Sequence, residues 1–161
     1  MYKNKSQRDL AQMKNSTKIV VLSALSILSS FIYANNVETF SLTVKVEGLR
    51  NSKGTVQFAL YNKDDSIPDE QYKEYYRKQT ANINNGSSYT VFNDLPKGRY
   101  AVNALHDENM DGKIDKGFIF PIEGIGFTNY TSIGLGNRPD FLKASFNITT
   151  NEIKFIKIIY F

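Results

Sequence analysis

Cysteine is absent from the 161-residue sequence, and its absence excludes three arrangements. A lipid-modified N-terminal cysteine, a thiolate metal site and a disulfide framework all require a thiol. Histidine occurs once, at position 106, and no G-x-S-x-G, H-E-x-x-H or phosphate-cradling glycine motif is present. The chain must therefore fold around an apolar core, and its sequence predicts no enzyme.

An apolar run long enough to span a bilayer is also missing near the N-terminus. Residues 19–34 form an apolar run that serines dilute, which is shorter than the roughly 20 residues of a membrane helix. Lys14 and Lys18 precede this run and Ala34 ends it. The pattern predicts a secretory signal peptide over residues 1–34, which could instead begin at Met13. The alternative to a cleaved signal peptide is an uncleaved membrane anchor.

Neither sign of charge is in excess once residues 1–34 are removed. Residues 1–34 hold five basic residues and one acidic residue, so the formal net charge of +4 falls to zero without them. The basic character belongs to the export signal, and we predict no nucleic-acid partner. We predict a periplasmic or secreted protein with one β-sandwich domain over residues 35–161, and no membrane span after cleavage.

Apolar residues alternate with polar ones over several short segments. From Thr39 to Glu47 every second residue is apolar, which is typical of a strand with one buried face. Similar alternation follows in residues 55–61, 89–92 and 100–104, separated by turn sequences such as "LPKG". About seven strands and no long amphipathic helix predict an all-β, Greek-key, immunoglobulin-like β-sandwich.

Three regions interrupt this alternation. Residues 62–79 contain Pro68 and tyrosines at helical spacing, which favours a short helix or a structured loop over a sugar-stacking platform. The glycine-rich residues 124–137 are predicted to form a mobile flap. In the last two predicted strands, residues 141–148 and 152–161, the alternation slips by one position, which predicts β-bulges.

The stretch "HDENMDGKID" carries the sequence's most specific chemical pattern. Calcium loops place oxygen ligands at alternate positions and glycine at position 6, where the chain turns sharply. With Asp107 as position 1, glycine falls at position 6 and hard oxygen donors fall at positions 1, 3, 5, 7 and 9. The pattern predicts a Ca²⁺ site, with these donors: Asp107, Asn109, Asp111, the Lys113 carbonyl and Asp115.

The last ligand of a standard calcium loop is missing. Position 12 is Phe118, which cannot bind a cation, so a water molecule or a carboxylate such as Glu123 must complete the site. A very polar turn around Asp111 and Gly112 is the alternative to a metal site. His106 precedes the loop, where it is either a general base or a residue that orients the loop by hydrogen bonding.

Two longer segments resemble a known family. "FNDLPKGRYAVNALHDENMDGKID" and "GFIFPIEGIGFTN" are similar to the F-x-D-L-P-x-G-x-Y-A, H-D-x-N-x-D/N-G-x-x-D and P-x-E-G-x-G-F-S motifs of the DUF2141 family of exported bacterial proteins. The resemblance extends from Leu42 to Tyr160, with Thr128 where the family has Ser. The matched positions are His106, Asp107, Asn109, Gly112, Asp115, Pro121, Glu123, Gly124, Gly126 and Phe127.

The resemblance implies fold and export, because the family has no established activity. The "F-x-D-L-P-x-G-x-Y" turn also resembles that of transthyretin-like and Cna-B-type domains. In those domains this turn is a structural corner, which implies that Phe92 enters the core and that Tyr100 packs under the turn.

Two functions of different classes follow as hypotheses. The first is a binding module in which Ca²⁺ orders a rim that meets a protein, peptide or glycan partner. Its rim residues are His106 and four exposed aromatic residues: Phe118, Phe120, Phe127 and Tyr130. The second is a metal-dependent hydrolase that uses His106 and Glu123 around an ion with an open position.

Overall fold

The computed structural model describes residues 12–13, 37–118 and 121–161. The chain divides into two compact units, Met1–Val37 and Glu38–Phe161. In the first unit, Gln12 and Met13 are helical and exposed, and the predicted signal peptide otherwise lies outside the described residues. Among the described residues, no helix has the length and apolar character needed to cross a membrane.

The second unit is a β-sandwich, which confirms the predicted fold class. Its elements are β1 (Thr39–Glu47), β2 (Thr55–Tyr61), β3 (Arg77–Ala81), β4 (Ser87–Pro96), β5 (Gly98–Asp107), β6 (Gly124–Phe127), α1 (Phe141–Ala144), β7 (Phe146–Ile148) and β8 (Glu152–Lys157). One sheet has the order β4-β1-β8, and the other has the order β3-β2-β5-β6 with β7 paired to β5. Most neighbours are antiparallel, but β1 and β8 run parallel.

The inner faces of the two sheets form the main core. Alternate residues of β1 are fully buried, and they meet Phe58 of β2 and Phe92 of β4 in one apolar cluster. The Tyr100 hydroxyl donates a hydrogen bond to the Pro96 carbonyl at 2.9 Å, so this ring closes the β4–β5 turn. The corner that the family resemblance implied for Phe92 and Tyr100 is therefore confirmed.

The outer face of the larger sheet is covered as well. Nearly every residue of β2 and β5 is buried, because residues 62–76 and 128–144 lie over the face that the main core leaves uncovered. A second apolar cluster forms there, and it includes Tyr61 and Phe127. This second layer, rather than the main core, borders the candidate site.

Residues 62–76 form the structured loop and not the helix of the two predicted alternatives. Tyr72 has a φ of 51°, a left-handed backbone angle that an α-helix does not admit. The Asp69 carboxylate accepts hydrogen bonds from the backbone N–H groups of Lys73 and Glu74, both at 2.9 Å, and so holds the turn. The tyrosines do not form the buried face of a helix, because Tyr72 is buried whereas Tyr75 and Tyr76 are exposed.

The predicted bulges near the C-terminus are wrong. Residues 141–144 form the helix α1, with the Asp140 side chain accepting a hydrogen bond from the Lys143 N–H at 2.8 Å as its N-cap. In β8 the pairing with β1 is continuous, with Ile156 in the core. Phe155, 64% exposed, points to the opposite face, so the apparent slip reflects apolar residues on both faces of one regular strand.

The predicted mobile flap is also wrong for residues 124–127, which form the buried strand β6. Gly124 and Gly126 allow close approach there: a Cβ on Gly126 would lie 2.4 Å from the Lys157 carbonyl oxygen, and one on Gly124 would lie 2.3 Å from the Tyr160 ring. The glycines therefore serve packing against the C-terminal residues.

Candidate functional site

The acidic loop, residues 108–123, connects β5 to β6 at one end of the sandwich. Its two ends are held together because His106 in β5 pairs with Gly124 in β6. Asp107 ends β5 and Glu123 immediately precedes β6, and both side chains are buried. The sheet register thus brings together two carboxylates that are 16 positions apart in the sequence.

The side chains at alternate positions from Asp107 onward accept hydrogen bonds from backbone N–H groups later in the chain. The two oxygens of Asp107 accept from the N–H of Asp111 at 3.2 Å and from that of Gly112 at 2.9 Å. Asn109 accepts from the same Asp111 N–H at 3.0 Å, and Asp111 accepts from the Lys113 N–H at 2.8 Å. The chain therefore curls around its own oxygen-bearing side chains.

The sharp turn of this curl falls at the predicted glycine. Gly112 has a φ of +74°, the left-handed conformation that glycine adopts without a Cβ penalty. Its carbonyl accepts a hydrogen bond from the Gln57 side-chain amide at 3.5 Å, which fastens the turn to β2. Gly112, at position 6, therefore has the backbone conformation that the sharp turn of a calcium loop requires at that position.

Glu123 ties the two halves of the loop together. One carboxylate oxygen accepts from the Glu108 N–H at 2.8 Å, and the other accepts from the Asp115 N–H at 3.3 Å. Burial raises the pKa of Glu123, and the charges of Asp107 and Asp115 raise it further, whereas these two hydrogen bonds lower it. The charges of Asp107 and Asp115 are therefore close enough to Glu123 to disfavour its ionised form.

The Arg50 side chain, from the turn between β1 and β2, lies against the base of the loop. The Arg50 guanidinium donates to the Glu108 carboxylate at 2.6 Å and to the Ile122 carbonyl at 3.3 Å, and it stacks over the Tyr160 ring at 4.7 Å. Its hydrogen bond lowers the pKa of Glu108 below the ordinary value. Glu108 therefore forms an ion pair with Arg50, which agrees with the prediction that Glu108 is not a calcium ligand.

His106 is fully buried on the inner side of the sheet. Its Nε2 lies 3.0 Å from the Lys53 carbonyl oxygen, which can only accept, so Nε2 carries the proton. Its Nδ1 then accepts from the Tyr160 hydroxyl at 2.8 Å. Both ring nitrogens are occupied, which corrects the expectation that His106 lines an exposed rim and matches the loop-orienting alternative.

The remaining rim residues fall into three groups. Phe118 is fully exposed, and Phe120 lies outside the described residues. Phe127 and Tyr130 were expected to be exposed, but both are buried in the second apolar cluster, where their rings meet edge-on at 5.9 Å. The aromatic rim is therefore not a continuous exposed surface.

The donor set of the loop suits a hard cation. Asp107, Asn109, Asp111 and Asp115 offer carboxylate or amide oxygens, and Asn109 also donates from its amide nitrogen to Asp115 at 3.0 Å. Within the described residues, no three Asp, Glu, His or Cys side chains are grouped closely enough to hold a metal by themselves. A calcium ion here would also need the Asn109 amide oxygen, the Lys113 carbonyl and water.

A cleft of about 330 Å³ lies beside the loop on the outer face of the larger sheet. The sequence offered no signal for it, because its lining comes from widely separated segments. The floor is formed by β2, β5 and β6, and three loops form the walls. The residues are Tyr61, Pro68, Asp69, Glu70, Asn103, Ile114, Lys116, Pro121, Ile125, Phe127, Ile133, Gly134, Leu135, Arg138, Pro139 and Phe161.

The acidic loop is itself one wall of this cleft. Ile114 and Lys116 belong to the loop and line the cleft, and Lys116 forms an ion pair across to Glu70 on the opposite wall. On the floor, the Asn103 side chain accepts from the Tyr72 hydroxyl at 2.5 Å and donates to the Gly126 carbonyl at 3.1 Å. The conformation of the loop therefore bears directly on the shape of the cleft.

The chain is similar to a family of bacterial proteins and, distantly, to one solved structure. No curated protein matches the chain. Among solved structures, the chain is similar to the pilus-presented adhesin Spy0125 (Cpa), with 14% identity, a TM-score of 0.26, and coverage of 78% of this chain and 28% of that one. This likeness is too low to support a functional inference.

The family resemblance found in the sequence is confirmed. The family model described as "Uncharacterized protein conserved in bacteria (DUF2141)" matches residues 44–155, more than half of the chain and nearly the whole β-sandwich. The matched range includes the acidic loop and the strands on both sides of it. The chain therefore belongs to the DUF2141 family of bacterial proteins.

Proposed function

We propose that this protein is an exported binding module whose acidic loop binds Ca²⁺ and thereby orders one wall of the adjoining cleft. One observation carries the proposal. Asp107, Asn109 and Asp111 each accept a hydrogen bond from a backbone N–H further along the loop, so the loop is already curled around its oxygen donors. A cation would draw these side chains closer together, with the Lys113 carbonyl and water as further ligands, and would replace their mutual repulsion with shared attraction.

The proposed ligands are those predicted from the sequence. They are the side-chain oxygens of Asp107, Asn109, Asp111 and Asp115 and the carbonyl oxygen of Lys113, with water completing the shell. Both oxygens of Glu123 accept backbone hydrogen bonds, and each retains a lone pair. Glu123 would therefore either join the shell directly or hold a bound water.

The place of action proposed is the periplasm or the exterior of a bacterium. Support comes from the N-terminal residues, where two lysines precede a short apolar run that ends in Ala34. The partner predicted from the sequence is a protein, peptide or glycan, and the cleft adds room for a ligand of small-molecule size. The hydrolase alternative lacks support, because both nitrogens of His106 are hydrogen-bonded and its ring is inaccessible.

Thermal unfolding of the full chain tests the calcium proposal. A ligand that binds only the native state adds about 2.7 kcal/mol of stability at a hundred times its Kd, so Ca²⁺ should raise the Tm and chelator should reverse the rise. Zn²⁺ should not replace Ca²⁺, because the donor set is oxygen only.

The variant Asp111→Asn sharpens this test. It keeps an oxygen for the Lys113 N–H while it removes a ligand charge, so it should fold but lose most of the calcium-dependent rise in Tm. Glu47→Gln removes a charge from an exposed position on β1, far from the loop in sequence, and should keep the full rise. An equal rise in Tm for Asp111→Asn and wild type would exclude the loop as the calcium site.

A further inference from the structure

We infer that the cleft beside the acidic loop binds a small amphipathic anion, with an apolar body on the sheet and a carboxylate-type group at Arg138. The inference rests on the proposed binding role, for which it names the site and the ligand class. Calcium in the loop would order one wall of the cleft, but the apolar floor and Arg138, which carry the inference, lie outside the loop. At about 330 Å³, the cleft is at the lower end of the size range of small-molecule sites.

The floor of the cleft favours an apolar body. Ile125 and Phe127 of β6 form part of it, and Ile133, Leu135 and Pro139 extend the apolar lining along one wall. Leu135 is 71% exposed, a large apolar side chain held at the opening of the cleft. Covering these groups with an apolar ligand would remove their surface from water.

The polar groups of the floor are already paired. The Asn103 amide contacts Tyr72 and Gly126, and the Tyr61 hydroxyl donates to Asp69 at 3.3 Å. Among the described residues, no buried side-chain nitrogen or oxygen lacks a hydrogen-bond partner. The floor therefore offers no unfilled donor or acceptor that would recognise a polar body.

The charged side chains of the lining differ in how they are paired. Glu70 and Lys116 form an ion pair with each other, and the Asp69 carboxylate accepts hydrogen bonds from Tyr61 and from two backbone N–H groups. The Arg138 guanidinium makes no hydrogen bond or ion pair with any residue that the structure describes; only its backbone carbonyl accepts one, from Tyr130.

Arg138 therefore sets the charge of the ligand. An unpaired guanidinium at the edge of an apolar cleft presents a planar fork of donors that matches a carboxylate. A neutral or cationic amphiphile of the same size would cover the floor equally well but leave these donors without an acceptor.

Calorimetric titration of the full chain with three ten-carbon probes tests the inference: decanoate, decan-1-ol and decyltrimethylammonium. Decanoate should bind most tightly, and Arg138→Gln should weaken its binding about tenfold or more, because a hydrogen bond to a charged group is lost. The same variant should leave decanol binding unchanged. Arg99→Gln, which removes a guanidinium outside the cleft, should bind decanoate like wild type.

Backbone amide shifts of the isotopically labelled protein locate the probe. Decanoate should perturb residues around Ile125, Ile133 and Gly134, and this measurement stands even if a variant folds poorly. Absence of decanoate binding, equal affinity for decanol, tighter binding of the cation, or unchanged decanoate affinity in Arg138→Gln would each overturn the inference.

Titrations with Ca²⁺ and with chelator separate the two proposals. Decanoate binding that persists when Ca²⁺ has no effect on Tm would support the cleft and reject the calcium loop. A calcium-dependent Tm without decanoate binding would support the loop and reject the amphipathic anion.

Discussion

The two faces of the larger sheet are both buried, yet they are filled in different ways. The inner face meets the β4-β1-β8 sheet in a continuous apolar cluster that contains Phe58. The outer face is covered by loops and a short helix, and it buries polar residues among its apolar ones, including Gln57, Asn103 and Asp107.

This difference separates stability from function within one sheet. Most contacts on the inner face are apolar and have no direction, so they fix the sandwich without creating a site. His106, a buried polar side chain on this face, bonds to Lys53 and Tyr160 and so holds the end of β5 in place. Buried polar groups on the outer face require specific partners, and those partners belong to the segments that surround the cleft and the acidic loop. We therefore expect substitutions on the inner face to have the larger effects on folding, and substitutions that line the cleft or the acidic loop on the outer face to affect binding as well.

The largest expected difference comes from a matched pair of phenylalanines. Phe58→Ala should lower the free energy of unfolding by about 3–5 kcal/mol, because it leaves an enclosed cavity. Phe127→Ala should cost less, because Phe127 borders an existing cleft that already admits solvent. Urea unfolding of both variants measures the difference, and a greater loss for Phe127→Ala would contradict the proposed division between the two faces.

Close packing of β6 against the C-terminal residues gives the next largest effect. Gly126→Ala should cost about 3 kcal/mol, because its Cβ would lie 2.4 Å from the backbone oxygen of Lys157, which cannot rotate away. Gly134→Ala is the control, since no atom beyond its two chain neighbours lies within 4 Å of its added Cβ, and its Tm should match wild type. Similar Tm values for both variants would show that β6 is not held as described.

A single hydroxyl fastens the cover of the outer face to β5. Thr128 accepts from the Val102 N–H at 3.0 Å and donates to the Ala144 carbonyl at 2.6 Å. Thr128→Val should cost about 1–2 kcal/mol in urea unfolding, because it leaves the buried Val102 N–H without its acceptor and removes one of the two donors to the Ala144 carbonyl, the other being Asn129. Thr128→Ser keeps the hydroxyl found in the family motif and should be nearly neutral; an equal loss for Ser and Val would point to packing instead.

The smallest expected effect is a pH dependence at the base of the loop. Arg50 lowers the pKa of Glu108, so this pair adds stability above the ordinary pKa of 4.5, and the added stability is lost as pH falls through the lowered value. Arg50→Gln should therefore be less stable than wild type by under about 1 kcal/mol at pH 7, because the pair is partly exposed. The difference should shrink as pH falls through the lowered pKa of Glu108; a difference that grows in acid would contradict the pairing.

Much of the fold could be predicted from local pattern. Alternation identified β1, β2, β4 and β5, because a strand with one buried face has a period of two. It could not show that loops cover the second face of β2 and β5, so Phe127 and Tyr130 were wrongly expected to be exposed. Whether an outer face is covered depends on contacts between segments that are distant in sequence.

The candidate site could also be predicted only in part from local sequence patterns. The positions of the oxygen donors and of Gly112 follow from local spacing, because the loop folds through bonds between near neighbours. The burial of His106 depends on Lys53 and Tyr160, each more than 50 residues away, and the cleft draws its lining from residues 61 to 161. No spacing rule within one segment encodes such contacts.

Anomalous scattering from calcium-soaked crystals tests the central claim most directly. The prediction is a difference peak inside the acidic loop, at roughly 2.3–2.6 Å from the side-chain oxygens of Asp107, Asn109 and Asp111 and from the Lys113 carbonyl oxygen. Well-ordered density in which these side chains surround only water, with no peak at saturating Ca²⁺, would contradict it.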